Sequence, residues 1–408
     1  MRIKRVSTII VDIPLKRPHV MSLMTVEKMN FLLVRIEGSN GIEGWGEAAF
    51  LGGPTWSEEG VESAQAIVET YIGPYIVGRD FTCIEALRQL MEKLVRGNHF
   101  ALAAVEMALY DLLGKTRNLP VYDLLGGMVQ DRIPLSWSLA SGTPDAELRE
   151  AESMRAIGGS IFKLKTGLLR PEKDIERVRC IRQALGDEVR LRIDANQGWD
   201  RFTAIKAIRG MEDFNLDFAE QPVSRNDIDS LAAVAKSVNV PLLADESLGS
   251  LQDAIQLVKR DAVGMFGIKL TKAGGFLGGK RLAAIAEGAN FPCYVGCMIE
   301  TGIGNAAYLR SIFTAPIAMH PDDAGMAEKG DMFWNRKTGS LLFRLVARLL
   351  FKFGQANRFR ADIWLGDGDD LSKYGLEATV LSIPGHSSGS VGVLTASGSL
   401  FCGDLFDN

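Results

Sequence analysis

The sequence predicts an α/β protein. A small α+β unit over residues 1–130 leads into a parallel (β/α) barrel over residues 131–310, and a different αβ segment occupies residues 311–408. Three observations predict this. From about residue 133, short apolar runs that end in polar or charged residues alternate with stretches of helical composition. The charged residues closing those runs, Lys165, Asp194, Glu220, Asp245 and Lys269, recur every 24–29 residues, about one βα unit apart. After about residue 310 the rhythm is lost.

In the first unit, "RVSTIIVDIPL" and "NFLLVRIEGSNGIEGWGEA" read as strands, with Ser39-Asn40-Gly41 as a turn within the second stretch. "HFALAAVEMALYDLLGK" has apolar residues at helical spacing and few breakers. The barrel runs are "SIFKLKT", "RLRIDAN", "LDFAEQP", "PLLADES", "GMFGIKL" and "PCYVGCMIE". Further on, "SLLFRLVARLLFKF" reads as one helix with Arg344, Arg348 and Lys352 four apart on one face. It is amphipathic and basic, but packing on its parent fold accounts for it better than a membrane surface does. The final residues read as consecutive strands joined by Gly/Ser turns.

With 47% hydrophobic and 24% charged residues, the chain has the composition of a soluble globular protein. A net charge of −4 gives no electrostatic case for nucleic acid. No run of about 18 apolar residues exists to span a membrane. Asp12 and Pro14 interrupt the N-terminal apolar run too early for a signal peptide. The five cysteines form no C-x-x-C pair, which suits a reducing cytoplasm.

The chemistry is written at the strand ends. In "SIFKLKT" a period of two puts Lys163 and Lys165 on one side of a strand, where like charges repel. In a parallel barrel the C-terminal strand ends share one face, so Asp194, Glu220 and Asp245 are expected to meet there. Three carboxylates repel unless a cation sits among them, and hard oxygen donors suit Mg²⁺ or Mn²⁺. Lys163 and Lys165 precede this row of acids and Lys269 follows it. A free lysine, with a pKa of about 10.4, is a poor base at neutral pH. A second ammonium and a nearby divalent cation both disfavour its charge, and a pKa of about 7–8 would make it a competent base or acid. Lys165 is therefore expected to be the base and Lys163 its pKa depressor, with Lys269 a second acid/base or an enolate-stabilising cation. Taken singly, a strand-end aspartate usually caps the next helix and a lysine is usually solvated. Acids on three successive strands with lysines on both flanks do not follow from capping.

These residues carry a resemblance. "KLKTG", "DANQGW", "AEQP", "ADES", "GIKLTKAGG" and "GCMIETGIGNA" fall in order, and residues 1 to about 310 are similar to the muconate lactonizing (muconate cycloisomerase) subgroup of the enolase superfamily. The resemblance implies metal ligands Asp194, Glu220 and Asp245 and acid/base lysines Lys165 and Lys269. It also implies a capping domain whose mobile loops, near residues 19–24 and 50–56, bring His19, Ser22 and Trp56 to the substrate. Glu300, at the end of the seventh strand, is a further catalytic candidate. "RPHVMS" and "FLGGPTW" look more like muconate cycloisomerases than like acylamino-acid racemases or dipeptide epimerases. A homo-oligomer is the family's expectation.

Past the seventh strand the family continues with an eighth βα unit, which is not recognisable here; the barrel is expected to lack it. From residue 311 the chain resembles the C-terminal part of a metallo-β-lactamase-fold hydrolase, through "APIAMHPDDAGM" and "RADIWLGDGDDLSKYGLEATVLSIPGHSSGSVGVLTASGSLFCGDLF". That resemblance maps His386 and Asp404 onto metal ligands as remnants. With four histidines in the chain (19, 99, 320 and 386) and no H-x-H-x-D-H motif, a complete site of that kind cannot be built. "GHSSG" fits a nucleophile elbow, but a strand-like run follows and no histidine lies downstream, so Ser387 is rejected as a nucleophile. Three readings follow: a metal-dependent cycloisomerase or lyase acting on a small carboxylate, a racemase or epimerase of the same superfamily, or an inactive fusion with remnant motifs.

Overall fold

β1 (Ile3–Val20), β2 (Thr25–Gly38) and β3 (Glu43–Phe50) form a three-stranded sheet in that order. β1 and β2 pair antiparallel from Ile3↔Gly38 to Val20↔Thr25, and the register shifts between Pro14 and His19. A proline there has no N–H to give the ladder. The helix His99–Arg117 packs on this sheet and is buried almost all round, as its Ala- and Leu-rich sequence requires. It lies so close to β3 that a Cβ on Gly44 or Gly46 would run into the carbonyls of Ala108 or Ala104. Asn98 and Asn118, both left-handed, bound it.

This computed structural model describes residues 1–130, 133–140, 143–156, 158–301, 318–319, 321, 363–374, 377–382, 391–395 and 400–402. The chain divides into two compact units: Met1–Ser39 with Gly44–Ile312, and Asn40–Glu43 with Phe313–Asn408.

The first unit continues into seven parallel strands, β4 (Trp137–Leu139), β5 (Ile161–Lys165), β6 (Arg190–Asp194), β7 (Leu216–Glu220), β8 (Leu242–Ala244), β9 (Met265–Ile268) and β10 (Cys293–Val295), neighbours in sequence being neighbours in the sheet. Helices follow the strands, as the recurrence of about one βα unit requires. β5 divides its side chains as its period-two pattern predicts. Phe162 and Leu164 join Leu191, Ile193, Ala219 and Phe266 in the layer between sheet and helices, and Lys163 and Lys165 project the other way. Three helices take side-chain caps from Asp200, Asp227 and Ser250. Asp194 and Asp245 are thus not spent on capping. An eighth strand would fall after residue 301, where most residues are outside those described.

In the second unit β11 (Ala318–Met319) and β12 (Ile363–Trp364) pair in parallel. β13 (Ala378–Ser382), β14 (Val391–Thr395) and β15 (Leu400–Cys402) form an antiparallel meander, matching the expected run of strands. Leu365, Leu371, Ala378 and Val380 make a small core there. His386, Ser387, Asp404 and the helix expected over 340–353 lie outside the described residues. Among the described residues no helix is long and apolar enough to cross a membrane.

Candidate active site

β5 and β6 are in register, so Lys165 lies opposite Asp194, and Asp194 in turn lies opposite Glu220 on β7. Asp245 follows directly on β8, and Lys269 directly on β9. All three acids are buried: Asp194 and Glu220 are 1% exposed and Asp245 0%.

Each acid faces an ammonium. Lys165 Nζ donates to Asp194 Oδ2 at 2.7 Å and to Asn196 Oδ1 at 2.7 Å. Lys163 Nζ donates to Glu220 Oε2 at 2.8 Å and stands 3.6 Å from Asp194 Oδ2. Lys269 Nζ donates to Asp245 Oδ2 at 2.7 Å. The other oxygen of Asp245 is held by Lys272 Nζ at 2.5 Å. The turns behind the site are tied down in turn. Gln221 Oε1 accepts from the backbone N–H groups of Asp245 and Ser247, both at 3.1 Å, and from the Ser247 hydroxyl at 2.9 Å. Arg177, buried against Glu147 and Asp174, donates to the carbonyl of Lys165.

The electrostatics follow from burial and crowding. Burial and then the charge of Asp194 raise the pKa of Glu220, with Asp245 adding to the repulsion. Glu246 is pushed up to about 7 by burial and by Asp245 and Asp194. Asp245 goes the other way: burial opposes its charge, but Lys269 and Lys272 hold it well below the usual carboxylate range. Burial also opposes the charge on Lys163, yet Glu220, Tyr294 and Asp194 keep its pKa well above that of a free lysine. Lys269 is raised too, Asp245 and Glu220 outweighing burial. Lys163 thus stands as an ammonium engaged with carboxylates. Four lysines (Lys163, Lys165, Lys269, Lys272) meet four acids (Asp194, Glu220, Asp245, Glu246).

Among the described residues no three acids, histidines or cysteines close on a single point suited to an ion, because each acid is turned to its lysine. The donor set nevertheless fits Mg²⁺ or Mn²⁺: hard carboxylate oxygens from adjacent strand ends, buried and mutually repelling.

The other expected site residues divide. Trp56 lies with Lys269 Nζ 4.6 Å from its ring centroid. The Ser22 hydroxyl is engaged with backbone, at 2.8 Å from the carbonyls of both Ala195 and Asn196, so it pins the 20–24 loop onto the end of β6. His19 is part-buried in β1 opposite Val26. Glu300 lies five residues beyond β10, and its Oε1 accepts the Met298 N–H at 2.8 Å. Before it Ile299 holds a φ of 60°, a conformation β-branched residues avoid. Next to it Thr301 is bound by Glu47, which accepts its N–H at 2.9 Å. Lys272, Asn196, Glu246 and Tyr294, whose ring centroid is 5.4 Å from Lys163 Nζ, were not expected. Lys272 stood within "GIKLTKAGG" and Glu246 within "ADES", each beside a residue already singled out.

Residues 5–126 match the mandelate racemase/muconate lactonizing enzyme N-terminal domain, and residues 146–341 match the enolase C-terminal domain-like family. A chloromuconate cycloisomerase from Pseudomonas putida is 39% identical over 317 residues, 78% of this chain and 85% of that protein. The chain belongs to the mandelate racemase/muconate lactonizing enzyme family. Within it, muconate cycloisomerase 1 of Acinetobacter baylyi is 35% identical over 76% of this chain and 85% of its own length. Among solved structures, a muconate lactonizing enzyme from Pseudomonas fluorescens complexed with muconolactone gives a TM-score of 0.74 at 37% identity, covering 77% of this chain and 85% of that one. The L-Ala-D/L-Glu epimerase of Bacillus subtilis gives 0.72 at 34% identity, covering 76% and 86%.

Proposed function

We propose that this protein is a divalent-metal-dependent cycloisomerase that interconverts a muconate-type substrate and its lactone through an enolate formed beside a carboxylate. The observation that carries the reading is the row Asp194, Glu220, Asp245 on adjacent strands with Lys165 at one flank and Lys269 at the other. The family relatives named as muconate and chloromuconate cycloisomerases support it.

Asp194, Glu220 and Asp245 would hold Mg²⁺ or Mn²⁺, whose charge stabilises negative charge on substrate carboxylate oxygens. The remaining work falls to side chains of this chain. In ring opening, Lys165 takes the proton from the carbon next to the carboxylate. The electrons of that C–H bond form the C=C bond, and those of the lactone C–O bond leave with the departing carboxylate. Ring closure reverses both movements, with the Lys165 ammonium supplying the proton. Lys269, on the far flank, places a positive charge beside the enolate. Lys163 sets the charge around Lys165 and Glu220.

A second reading, an epimerase of dipeptides or acylated amino acids, draws support from the similar epimerase structure and from the opposed lysines, which could serve as two bases. The two are separated by offering cis,cis-muconate and L-Ala-L-Glu to the Mn²⁺-loaded protein in D₂O. Loss of muconate absorbance with appearance of lactone supports the first; α-proton exchange without lactone supports the second. Neither reaction would leave the inactive-fusion reading. The enolase C-terminal domain-like match runs to residue 341, past the boundary expected at residue 311, so we read only the segment beyond residue 341 as a metallo-β-lactamase-like fragment, one that carries no catalytic metal site given the chain's four histidines.

A further inference from the structure

We propose that Trp56 is a positioning residue for Lys269: a capping-loop side chain whose ring face holds the ammonium that faces the enolate in place. The inference rests on the function proposed above.

Lys269 is confined from three directions. Its Nζ donates to Asp245 Oδ2 at 2.7 Å on one side and lies 4.6 Å from the Trp56 ring centroid on another. Along its stem the backbone of Gly296 is so near that a Cβ there would meet Lys269 Cε at 3.0 Å and Cγ at 3.2 Å. Trp56 is 3% exposed, so this cation–π contact is shielded from water. The ring face makes the contact. The indole N–H has no acceptor among the described residues, and Trp56 lines a cavity of about 570 Å³ together with Glu246 and Lys272.

The turn that delivers Trp56 is fixed at both ends. Gly52 and Gly53 take φ of 62° and 74°, and a Cβ on Gly52 would lie 2.7 Å from Met24 Sδ of the other capping loop. After the turn, Ser57 donates to the Glu59 carbonyl at 3.0 Å. The Glu59 carboxylate in turn accepts the Phe100 and Ala101 N–H groups at 3.0 and 3.4 Å. The environment of Lys269 is therefore completed by the cap and not by the strands alone. A tryptophan that merely filled space, or one that touched substrate alone, would leave the amine as it is.

The test compares wild type with Trp56→Phe, Trp56→Leu and a variant carrying tetrafluorotryptophan at position 56. The fluorinated ring keeps its shape, so it decides the question should the Leu variant fail to fold, but it attracts a cation far less. On full-length, Mn²⁺-loaded protein without substrate, competitive acetylation followed by peptide mass spectrometry reads each amine. We expect Lys269 labelling to rise about tenfold with Leu or the fluorinated ring, and less with Phe, while Lys165 labelling stays level. With muconate, kcat should fall about 30-fold in those two variants at unchanged KM. Unchanged Lys269 labelling, or an effect confined to KM, would overturn the proposal. Should wild type turn over no muconate, the assigned reaction fails, and labelling still decides the role of Trp56.

Discussion

Lys165 donates to Asp194 and Asn196, and its own carbonyl is gripped by Arg177, so its amine is aimed by the strand end before any substrate arrives. Replacing it by alanine removes the proton carrier and one partner of Asp194 but leaves all three carboxylates of the row in the chain. Lys165→Ala should therefore lower kcat by about 10³ or more while Mn²⁺ binding, followed by electron paramagnetic resonance, persists. Retained turnover would take Lys165 out of its role. A second residue carries a pH dependence. Burial, and then the positive charge of Arg88, lower the pKa of His99 below its ordinary 6.5, outweighing Asp253 and Glu92. Below pH 6.5 the unfolded chain then binds the proton more readily than the folded one. The stability His99 contributes is present in full above pH 6.5 and is lost as pH falls through the folded-state pKa. The urea midpoint of wild type should fall more between pH 7.5 and 5.5 than that of His99→Gln; equal falls would refute it. Side chains that act through charge at strand ends were legible in the sequence, because position in a repeat placed them. Lys272 was not. It reaches Asp245 from a one-turn helix, Leu270–Ala273, whose geometry no period in the sequence announces.

At the scale of elements, the contact between β3 and the helix His99–Arg117 depends on "GWG". Gly44 and Gly46 leave room for the helix backbone, and a methyl group at either would strike the Ala108 or Ala104 carbonyl. Neither main chain can yield without breaking a ladder or a helical turn. Gly46→Ala should cost about 3 kcal/mol in urea unfolding, far more than a glycine replacement at an open position such as Gly264, where a Cβ would meet nothing within 4 Å. A loss equal to that at Gly264→Ala would mean the helix can shift. The long helix was readable from its unbroken apolar composition, and the repeating strands from runs closed by charge. The first barrel strand, Trp137–Leu139, was not singled out: three residues, with Trp137 40% exposed, show no period. The register sets Asp194 opposite Lys165, but Arg192 lies opposite Lys163, whose amine reaches across to Glu220 on β7, and both pairings depend on register between strands far apart in sequence.

For the whole molecule, the pairing of buried lysines with the acids of the row sets how folding and metal are linked. Without an ion, the lysines neutralise buried carboxylates that otherwise repel one another. A divalent ion bound by Asp194, Glu220 and Asp245 would take over part of that task in the folded state only, since the unfolded chain keeps these residues apart. Binding that favours the folded state raises its stability by about 2.7 kcal/mol when the ion is at 100 times its dissociation constant. Heating the full-length chain with Mn²⁺ or Mg²⁺ should therefore raise the unfolding temperature of the first unit in a concentration-dependent way. Glu220→Gln should abolish most of that rise, because it removes the central donor of the row. Its own unfolding temperature without metal should fall as well, since Lys163 would lose the buried carboxylate that faces it at 2.8 Å. A metal-independent transition in wild type, or the same upward shift in Glu220→Gln, would dissociate the acid row from metal binding.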